Sequence, residues 1–548
     1  MSFLPINQSD LKQRGWDAVD IIIISGDAYI DHPSFAAAII GRILEFSGFK
    51  VGIIAQPDWN KDSDFTVLGK PRLFFGITAG NMDSMINHYT AQKKIRNNDA
   101  YSPNGEMGKR PNRATIIYTN ILKRLYKDVP IVIGGIESSL RRIAHYDFWQ
   151  DKVRNSILAD SKADFLIYGM GEMPVTDLAI ALQKGEKITA IQDLPSSVVF
   201  TAFPPSENDV ILPEAEKCSD KNTFYQMTKI FEENYRTKVI YQKNAGRWLK
   251  HNPPRKPLTT NEMDAIYALP FEYKPHPIYQ GKKIPAFEQI KDSLTSHRGC
   301  YGGCNFCAIS CHQGRQIQSR TEASLLAEAK KHNGTISDVG GPTANMYASY
   351  CRKNFPDTCN RKSCLVPQIC PNLVINQSAH LKVLNKIKDL PTIKHLFIAS
   401  GIRHDMALTD DKYIEAIATK YTGGRLKLAP EHSVPKILRL MGKPDIDSFE
   451  RFCTKFYHFT KAAGIKRQII PYLIIGHPGT TLDDTYKLRN WLIKNKLTVE
   501  QVQEFTPTPM SISTCMYYTG LDYETGEPIY IPKPSEVRKQ KNLILNKI

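Results

Sequence analysis

Short aliphatic runs alternate with longer amphipathic stretches over most of the chain. Between residue 20 and about residue 171, the runs DIIIIS, KVGIIA, RLFFGIT, PIVIGGIE and DFLIYG each have the length of a buried strand. The stretch HPSFAAAIIGRILEFSGF, between the first two runs, has apolar residues at helical spacing, and Gly48 provides a helix stop. Strands that alternate with helices predict an α/β domain with an open, largely parallel sheet.

A second alternating region begins near residue 290. Strands are predicted at KDSLTSH, TISDVGG, KHLFIAS, RLKLAP, QIIPYLIIG and VQEFTP. The helix TEASLLAEAKK is predicted to begin at Thr321 and to end near Gly334. Six strand-helix repeats predict a barrel or partial barrel, and functional residues are expected where the strands of either region end.

The residues between these regions differ in composition. From Lys221 to Lys256 there are nine basic side chains but only two acidic ones, and the proline-rich stretches NPPRKPL and YKPHP follow. Proline at this density disfavours regular helices and strands, so we interpret 201–285 as a basic bridging segment. Its aromatic residues favour packing over the stacking of RNA bases, which stays an alternative. The other predicted parts are an N-terminal domain 1–200, a core 286–520 with a Cys-rich insert 344–377, and a tail 521–548.

Composition limits the class of protein. Of the 548 residues, 42% are hydrophobic and 23% are charged, as in folded globular proteins. The formal net charge of +17 keeps RNA as a candidate partner without identifying it. The longest aliphatic run, Ile21 to Ile24, is far shorter than the roughly 18 to 20 residues that span a bilayer, and the N-terminus lacks the pattern of a signal peptide. We therefore expect a cytoplasmic protein without a membrane partner.

Three of the eleven cysteines lie close together just after the first strand of the second region. They are Cys300, Cys304 and Cys307, within the segment SHRGCYGGCNFCAIS. Its glycines let the backbone wrap closely around a bulky inorganic core. Thiolates are the ligands of iron-sulfur clusters, and a four-iron cluster held only by protein takes four of them. Three thiolates would leave one iron open to a substrate or a cofactor.

This loop resembles that of the radical S-adenosylmethionine (SAM) superfamily, with Phe306 at the usual aromatic position. The likeness extends over nearly the whole chain to the YgiQ-type radical SAM proteins, through DIIIISGDAYIDHPSFAAAIIGRILE, PLTTNEMDAIYALP, RGCYGGCNFCAIS, SDVGGPTANMY, LAPEHS and GHPGT. The resemblance implies a Rossmann-like N-terminal domain, similar to cobalamin-binding domains, followed by a radical SAM partial (β/α)6 barrel. It also implies a 4Fe-4S cluster on Cys300, Cys304 and Cys307. Since S-adenosyl-L-methionine would chelate the open iron, we assign Cys311 to packing or to a supporting contact with the cluster ligands.

The resemblance further implies a set of SAM-binding residues: Arg320, Gly340, Gly341, Ser400 and Glu431. Gly340 and Gly341 match a glycine-rich element near the SAM amino group, where Pro342 replaces the usual acidic residue and leaves main-chain carbonyls as acceptors. The Arg320 guanidinium suits the SAM carboxylate, although a structural salt bridge is an equal alternative. Arg403, His404, Asp405 and His432 lie on the expected active face, but a histidine there is at least as often a packing or hydrogen-bonding group, so the catalytic residues stay unknown.

A second cysteine group lies within the insert. Its members Cys351, Cys359, Cys364 and Cys370 are separated by seven, four and five residues. Four thiolates suffice for an auxiliary iron-sulfur cluster or a structural zinc. The spacing matches neither a two-residue knuckle nor a ferredoxin run, so unligated thiols stay an alternative.

The N-terminal domain lacks the D-x-H-x-x-G signature of histidine ligation to cobalamin, because Asp31 and His32 are adjacent. We therefore do not expect cobalamin. The resemblance implies an enzyme that reductively cleaves SAM to a 5′-deoxyadenosyl radical, receives electrons from a donor such as flavodoxin or ferredoxin, and modifies an unassigned substrate. Methyl or methylthio transfer to RNA or protein is one variant.

Two other classes of function stay open. One is an iron-sulfur binding or redox-sensing protein without turnover, and the other is an RNA-binding protein with a structural metal. Chains of this type usually extend further beyond the YIPKPSEVRKQ region, which implies a shortened or divergent C-terminal tail here.

Overall fold

The computed structural model describes residues 3–355 and 359–545. The chain forms two compact units: the first unit contains residues 1–256 and 265–291, and the second unit contains residues 257–264 and 292–548. Residues 356–358 of the predicted insert and 546–548 of the predicted tail lie outside the described residues. Both units are α/β, which confirms the predicted fold class. Within the described part of the chain, no helix is both long and apolar enough to cross a membrane.

A nine-stranded sheet forms the first unit. The five predicted aliphatic runs are its parallel strands, in the spatial order Val51–Ala55, Ile21–Ser25, Phe74–Thr78, Ile131–Gly134 and Phe165–Ile167. Parallel strands are covered on both faces, which is why they are continuous apolar runs, and all five residues of Ile21–Ser25 are buried. The strand order reverses beside Ile21–Ser25, so this part of the carboxyl edge is a topological switch point.

Four more strands extend this sheet beyond Phe165–Ile167, in the spatial order Ser197–Thr201, Arg247–His251, Ile240–Asn244 and Val210–Ile211. Residues 197–251 therefore belong to the first unit, whereas the sequence indicated a bridge from residue 201. The basic composition led to the wrong interpretation because these residues lie on outer strands of the sheet. Arg247 is exposed, for example, while Leu249 of the same strand is buried. The interleaved aromatic residues Phe224 and Phe231 are also buried, on the helix Lys221–Asn234.

Helices connect these strands. The predicted helix is Ala36–Phe46, and it is followed by Gly48, whose φ of +94° glycine adopts without strain. Two small antiparallel pairs are Ile30–Asp31 with Lys274–Pro275 and His145–Asp147 with Lys152–Arg154. The remaining α-helices up to residue 291 are Gln8–Gln13, Asp62–Thr66, Ser84–His88, Ala114–Leu125, Gly135–Ser139, Ile157–Ser161, Glu172–Gln183, Lys221–Asn234, Thr260–Tyr267 and Pro285–Ile290.

The second unit contains the six predicted strands, in chain order. Ser293–Thr295 pairs with Asp338–Gly340, and Gly334–Ile336, on the same stretch of chain, pairs with Ile393–Leu396. Arg425–Glu431, Gln468–Ile475 and Gln503–Glu504 form a second parallel set. The two sets are linked by a backbone hydrogen bond, in which the Ile398 N–H, just after Ile393–Leu396, donates to the Tyr421 carbonyl, just before Arg425–Glu431, at 3.0 Å. This succession of parallel strands is a partial barrel, as predicted.

The helices of the second unit follow its strands, and Thr321 caps Glu322–Ala329 by accepting the Ser324 N–H. The others are Ile309–Gln313, Gln377–Lys388, His404–Ala407, Asp411–Ala416, Pro435–Met441, Ile446–Ala462, Leu482–Lys494, Ile512–Thr519 and Pro534–Leu545. The apolar core includes strand residues Leu294, Val339 and Leu426. The short antiparallel pairs of this unit are His297–Arg298 with Gln318–Ser319 and Tyr350–Cys351 with Leu373–Val374.

Candidate functional site

The loop that carries Cys300, Cys304 and Cys307 begins where Ser293–Thr295 ends, as the sequence indicated. The pairing of His297–Arg298 with Gln318–Ser319 closes the base of this loop. The Cys300 N–H also donates to the Gly314 carbonyl at 3.1 Å. Residues 299–314 therefore form a lobe whose position is fixed by backbone hydrogen bonds at the carboxyl edge of the barrel.

Two glycines of the loop occupy positions that a larger residue could not. Gly299 has φ +86°, and a Cβ there would lie 2.0 Å from the Gln316 carbonyl oxygen. Gly303 has φ +65°, and a Cβ there would lie 2.5 Å from the Lys362 carbonyl oxygen. The sequence predicted that glycine lets this backbone wrap closely, and both close approaches are to other parts of the backbone.

The three thiols lie in a half-buried environment of the same loop. The Gly302 N–H donates to the Cys300 sulfur at 3.4 Å. Burial raises the pKa of the Cys300 and Cys307 thiols, and the nearby Cys304 raises both further. A bound metal would reverse this, because a coordinating thiol is deprotonated. The chemistry of this loop fits an iron-sulfur cluster. It offers three thiols as ligands, a backbone N–H that donates to sulfur, and glycines that keep the backbone compact.

Each thiolate of a four-iron cluster binds a different iron, so these sulfurs need not converge on one point. In residues 3–355 and 359–545, no group of three or more His, Cys, Asp or Glu side chains is arranged to hold a single metal ion.

Arg403 connects the cysteine loop to the end of the third barrel strand. Its guanidinium donates to the Cys304 sulfur at 3.7 Å and pairs with Asp405 through bonds of 3.0 and 2.6 Å. Burial alone would lower the Arg403 pKa, but Asp405 and the thiols raise it, so the side chain stays charged. Asn345 fixes the Arg403 backbone through two hydrogen bonds of 2.9 Å. The sequence had placed Arg403 on the active face without a role.

Glu431 ends the fourth barrel strand, and the residue is 8% exposed. Its backbone has φ +70°, an uncommon conformation for a residue other than glycine and one that is often found at functional sites. Burial raises the pKa of Glu431, while Lys443 and Arg403 lower it. The Lys443 ammonium lies 4.0 Å from the Glu431 carboxylate and donates to the Ala429 carbonyl at 2.6 Å. These contacts bring Glu431, Lys443 and Arg403 into one charged group beside the thiols.

Gly340 and Gly341 end the second strand, as predicted, and both are required by close packing. A Cβ on Gly340 would meet the Ser400 hydroxyl at 2.2 Å, and a Cβ on Gly341 would meet the His297 carbonyl at 2.5 Å. The Gly340 carbonyl already accepts from the Ser296 N–H and hydroxyl, at 2.7 and 3.1 Å. Both lone pairs of this oxygen are therefore in use, and it does not offer the acceptor that was expected for an amino group.

Ser400 lies in an exposed turn held by Asp338, a residue that the sequence did not single out. One oxygen of Asp338 accepts from the Ala399 N–H at 2.7 Å and from the Ser400 N–H and hydroxyl at 3.0 and 3.1 Å. Burial raises the Asp338 pKa, although these hydrogen bonds lower it. The one available signal was its position two residues before Gly340.

Arg320 is placed differently from the other predicted SAM-binding residues. It is buried, and its guanidinium pairs with Glu328. It also donates to the Thr295 carbonyl at 3.1 Å and to the Ser324 hydroxyl at 2.9 Å. A protein carboxylate therefore occupies the place that the sequence assigned to the SAM carboxylate, and the role in SAM binding stays a prediction.

The other residues around the loop contribute to packing. Phe306 lies against an apolar cluster that contains Ile437, Leu440 and Ile474. The Cys311 thiol donates weakly to the Met510 carbonyl at 3.7 Å. The sequence had also placed His404 and His432 on this face. Burial lowers the pKa of His404 to about 3 and that of His432 to about 4, which leaves both imidazoles neutral near pH 7.

The carboxyl edge of the first unit is filled by its own charged side chains. Arg110 lies 2.8 Å from Asp27 and 3.3 Å from Asp99, and all three side chains are buried. Burial raises the Asp27 pKa to about 6, although Arg110 lowers it. Glu137, also on this edge, accepts from the N–H groups of Ser84 and Thr115 at 2.8 and 3.1 Å. These polar groups largely satisfy one another.

The second cysteine group lies beside the first loop. The Cys364 N–H donates to the Tyr301 carbonyl at 3.1 Å, and the Ser363 hydroxyl donates to the Gly302 carbonyl at 2.6 Å. Cys300, Cys364 and Cys370 belong to the same apolar cluster. The structure thus brings together two groups that are about fifty residues apart in the sequence.

Comparison with known proteins identifies the family. The Radical SAM N-terminal family matches residues 3–293, and a domain of unknown function, DUF3362, matches residues 500–545. A UPF0313 protein of Geobacter sulfurreducens is 46% identical over 100% of this chain and 92% of its own length. A UPF0313 protein of Methanocella arvoryzae is 46% identical over 98% of this chain and 92% of its own, and one of Yersinia pestis is 42% identical over 99% and 78%.

Solved structures share the fold. The radical SAM methyltransferase TsrM of Kitasatospora setae, solved with cobalamin and a 4Fe-4S cluster bound, has a TM-score of 0.50 and 14% identity and covers 95% of this chain and 81% of that one. TsrM has also been solved with its tryptophan substrate and a SAM analogue, with a TM-score of 0.50, 13% identity, and coverage of 95% of this chain and 82% of that one.

The TsrM structure overturns one expectation. The sequence argued against cobalamin because a histidine signature is missing, yet a protein of this fold contains cobalamin. That conclusion was wrong because the signature concerns only a histidine below the cobalt and leaves the other contacts of the cofactor untested.

Sequence identity above 40% over nearly the whole chain is sufficient to assign the chain to a family. The chain belongs to the UPF0313 family, the YgiQ-type radical SAM proteins.

Proposed function

We propose that this protein is a radical SAM enzyme that uses a 4Fe-4S cluster and S-adenosyl-L-methionine to modify a substrate by radical chemistry. The observation that carries the proposal is the loop of Cys300, Cys304 and Cys307 at the carboxyl edge of the barrel, where the Gly299 and Gly303 backbones leave no room for a side chain. The group that fits this donor set supplies the electron that cleaves SAM to methionine and a 5′-deoxyadenosyl radical.

The chain's own residues have distinct tasks around that loop. Cys300, Cys304 and Cys307 would hold the cluster as thiolates, and with only three protein ligands one iron would stay available to SAM. Arg403 donates to the Cys304 sulfur and adds a positive charge beside the thiolates, which stabilises the anionic form of the site. Asp405 and Asn345 keep Arg403 in place. Cys311 takes no part as a ligand.

The SAM side of the site is assigned to the charged group at the strand ends. Glu431 and Lys443 lie next to Arg403 and offer a carboxylate and an ammonium for a zwitterionic ligand. The exposed turn at Ser400 offers a hydroxyl for the sugar of the nucleoside. Gly341 permits close approach to the backbone. Arg320, which is already paired with Glu328, supports the strand ends from behind in this proposal.

Whether a side chain of the first unit could bind the cobalt of cobalamin depends on how His32 is held. His32 is buried, its Nδ1 accepts the Ser34 N–H at 3.1 Å, and its ring lies edge-on to Tyr273. An imidazole held in this way is not presented at the carboxyl edge of the sheet. We propose that any cobalamin bound by this unit takes no cobalt ligand from His32. Bound cobalamin would supply a methyl-carrying cobalt to the chemistry.

The reaction needs an external electron. A net charge of +17 favours encounter with an acidic redox protein, and we propose a flavodoxin or ferredoxin as the donor. RNA stays a proposed substrate class on the same electrostatic ground.

The test is release of 5′-deoxyadenosine. Anaerobically reconstituted and reduced protein, supplied with SAM, is expected to release 5′-deoxyadenosine and methionine in equal amounts. Cys304→Ala should abolish release because the cluster loses one of three ligands. Cys311→Ala, the matched change in the same lobe, should leave it near the wild-type rate. Equal release by wild-type and Cys304→Ala protein, or none from wild-type protein that carries a full cluster, would overturn the proposal.

A further inference from the structure

We infer that Cys351, Cys359, Cys364 and Cys370 form a second thiolate-bound metal centre beside the first cysteine loop. This inference goes beyond the proposed function and does not depend on it. The ligand class is an iron-sulfur cluster, whose thiolates bind separate irons. A single zinc ion does not fit, because the described residues hold no group of three or more ligands arranged around one metal ion.

Backbone pairing gathers these cysteines although they span twenty residues of sequence. Cys351 lies opposite Leu373 in the antiparallel pair of Tyr350–Cys351 and Leu373–Val374. The Leu373 N–H donates to the Cys370 carbonyl at 2.9 Å, and the Cys370 N–H donates to the Cys364 carbonyl at 2.8 Å. The first step is a strand pairing and the other two are direct hydrogen bonds, so three of the four cysteines lie around one small hairpin.

Cys359 belongs to the same neighbourhood. Burial and the nearby thiols of Cys370, Cys359 and Cys351 together raise the pKa of Cys364 to about 11, although Arg315 lowers it. Each of these three sulfurs is therefore close enough to Cys364 to act on it electrostatically. No disulfide joins these four cysteines in the described part of the chain.

Two arginines close the segment and bring positive charge to it. Arg361 donates to the Ser363 carbonyl at 3.1 Å and to the Gln368 carbonyl at 2.6 Å, which closes the turn between Cys364 and Cys370. Arg315 donates to the Arg361 carbonyl at 2.6 Å and lowers the pKa of Cys364. Positive charge beside thiolates favours the deprotonated form that binds a metal.

One buried thiol beside three half-buried thiols needs a physical reason. Cys364 is 7% exposed, and Cys370 packs with it in an apolar cluster of Tyr301, Met346 and Leu365. A cluster that bridges the sulfurs would cross-link the stretch from Cys351 to Cys370, whose described residues form little regular structure. The segment also forms one wall of the first loop, since its Lys362 carbonyl faces Gly303. A second metal would thus hold that wall in place.

The test is metal content of full-length protein, purified and reconstituted without oxygen. A second 4Fe-4S cluster predicts about eight iron atoms per chain, whereas a cluster in the first loop alone predicts about four. The double variant Cys351→Ser/Cys370→Ser, which leaves the buried Cys364 in place, should lose the additional metal and keep about four iron atoms. Cys453→Ser, a matched change at a half-buried cysteine outside both groups, should keep both metals.

Two results would overturn the inference: wild-type protein with only the first-loop iron, whether or not it contains zinc, or additional iron that survives the double variant. Circular dichroism and the SAM-dependent paramagnetic signal of the first cluster show whether the double variant is folded. The Cys304→Ser variant separates the two proposals. Suppose that the wild type and the Cys304→Ser variant both lack iron in the first loop, and that both hold the metal that the double variant loses. The proposed function then fails, and this inference stands.

Discussion

The carboxyl edges of the two parallel sheets carry polar groups of opposite kinds. In the first unit, Asp27, Asp99 and Arg110 are buried together and pair with one another. In the second unit, the thiols of Cys300 and Cys307 are held close together at raised pKa. In the first edge the charged side chains pair within the protein, although two carboxylates share one guanidinium, whereas the thiols of the second edge would become thiolates on binding a metal. Such an unbalanced group of titratable residues is typical of a binding site.

The largest expected effect concerns the space reserved by glycine in the second edge. Gly299→Ala places a methyl group 2.0 Å from the Gln316 carbonyl oxygen, so the loop must shift and most of the cluster iron should be lost. Gly314→Ala is the matched control, because Gly314 has nearly the same φ, +84°, but nothing lies within 4 Å of its Cβ position. Iron and sulfide assays measure the difference. Equal iron retention would show that this close contact does not shape the site.

The next effect is on the stability of the first edge. Arg110→Met leaves Asp27 and Asp99 buried without their cation, which should lower the free energy of unfolding by about 3–5 kcal/mol. Urea unfolding followed by circular dichroism measures this loss. The iron content of the folded variant should stay at the wild-type value, because the paired charges do not belong to the cluster site. A large loss of iron without loss of stability would contradict the contrast between the edges.

A smaller effect should appear in the pH dependence of stability. The folded-state pKa of Asp27 is raised to about 6, so the folded state binds this proton more tightly than the unfolded state, whose pKa is near 3.8. Stability from this group is present below about pH 4 and is lost as the pH rises through 6. Relative to Asp27→Asn, the wild type should therefore lose about 2–3 kcal/mol between these limits. Urea unfolding at several pH values tests this, and parallel curves for both proteins would refute it.

The smallest effect concerns the hydrogen bond to sulfur. Arg403→Lys keeps the charge but loses the two-pronged pairing with Asp405 and the reach to Cys304. The cluster should remain, and its reduction potential should become more negative because a donor to a sulfur is lost. A redox titration followed by electron paramagnetic resonance measures the shift. Arg425→Lys, in a surface pair with Glu500, is the control and should leave the potential unchanged; an equal potential in both variants would exclude the contact.

The sequence predicted the strands of both sheets because each is a short aliphatic run, buried on both faces, as Ile21–Ser25 illustrates. It failed on 201–251, where Ile240–Asn244 and Arg247–His251 mix basic and buried residues as outer strands. Local amino-acid composition cannot distinguish such strands from a linker, because a strand is defined by the distant segment with which it pairs.

The site divides in the same way. The positions of Cys300, Cys304 and Cys307 followed from spacing, because ligands on one loop are local in sequence. The contact of Arg403 with Cys304 joins residues about a hundred apart, and the left-handed backbone of Glu431 depends on its place in the sheet. Neither has a local signal. Arg320 shows the converse, since a plausible ligand for SAM is already paired with Glu328.

The most direct test of the central claim is the electron paramagnetic resonance spectrum of the reduced Cys351→Ser/Cys370→Ser protein, recorded before and after addition of SAM. With the second group removed, any cluster signal comes from the loop of Cys300, Cys304 and Cys307. A cluster held by three thiolates has one open iron, so the signal should change when SAM binds. A cluster signal that SAM leaves unaltered would mean that all four irons are already occupied, and it would contradict this account.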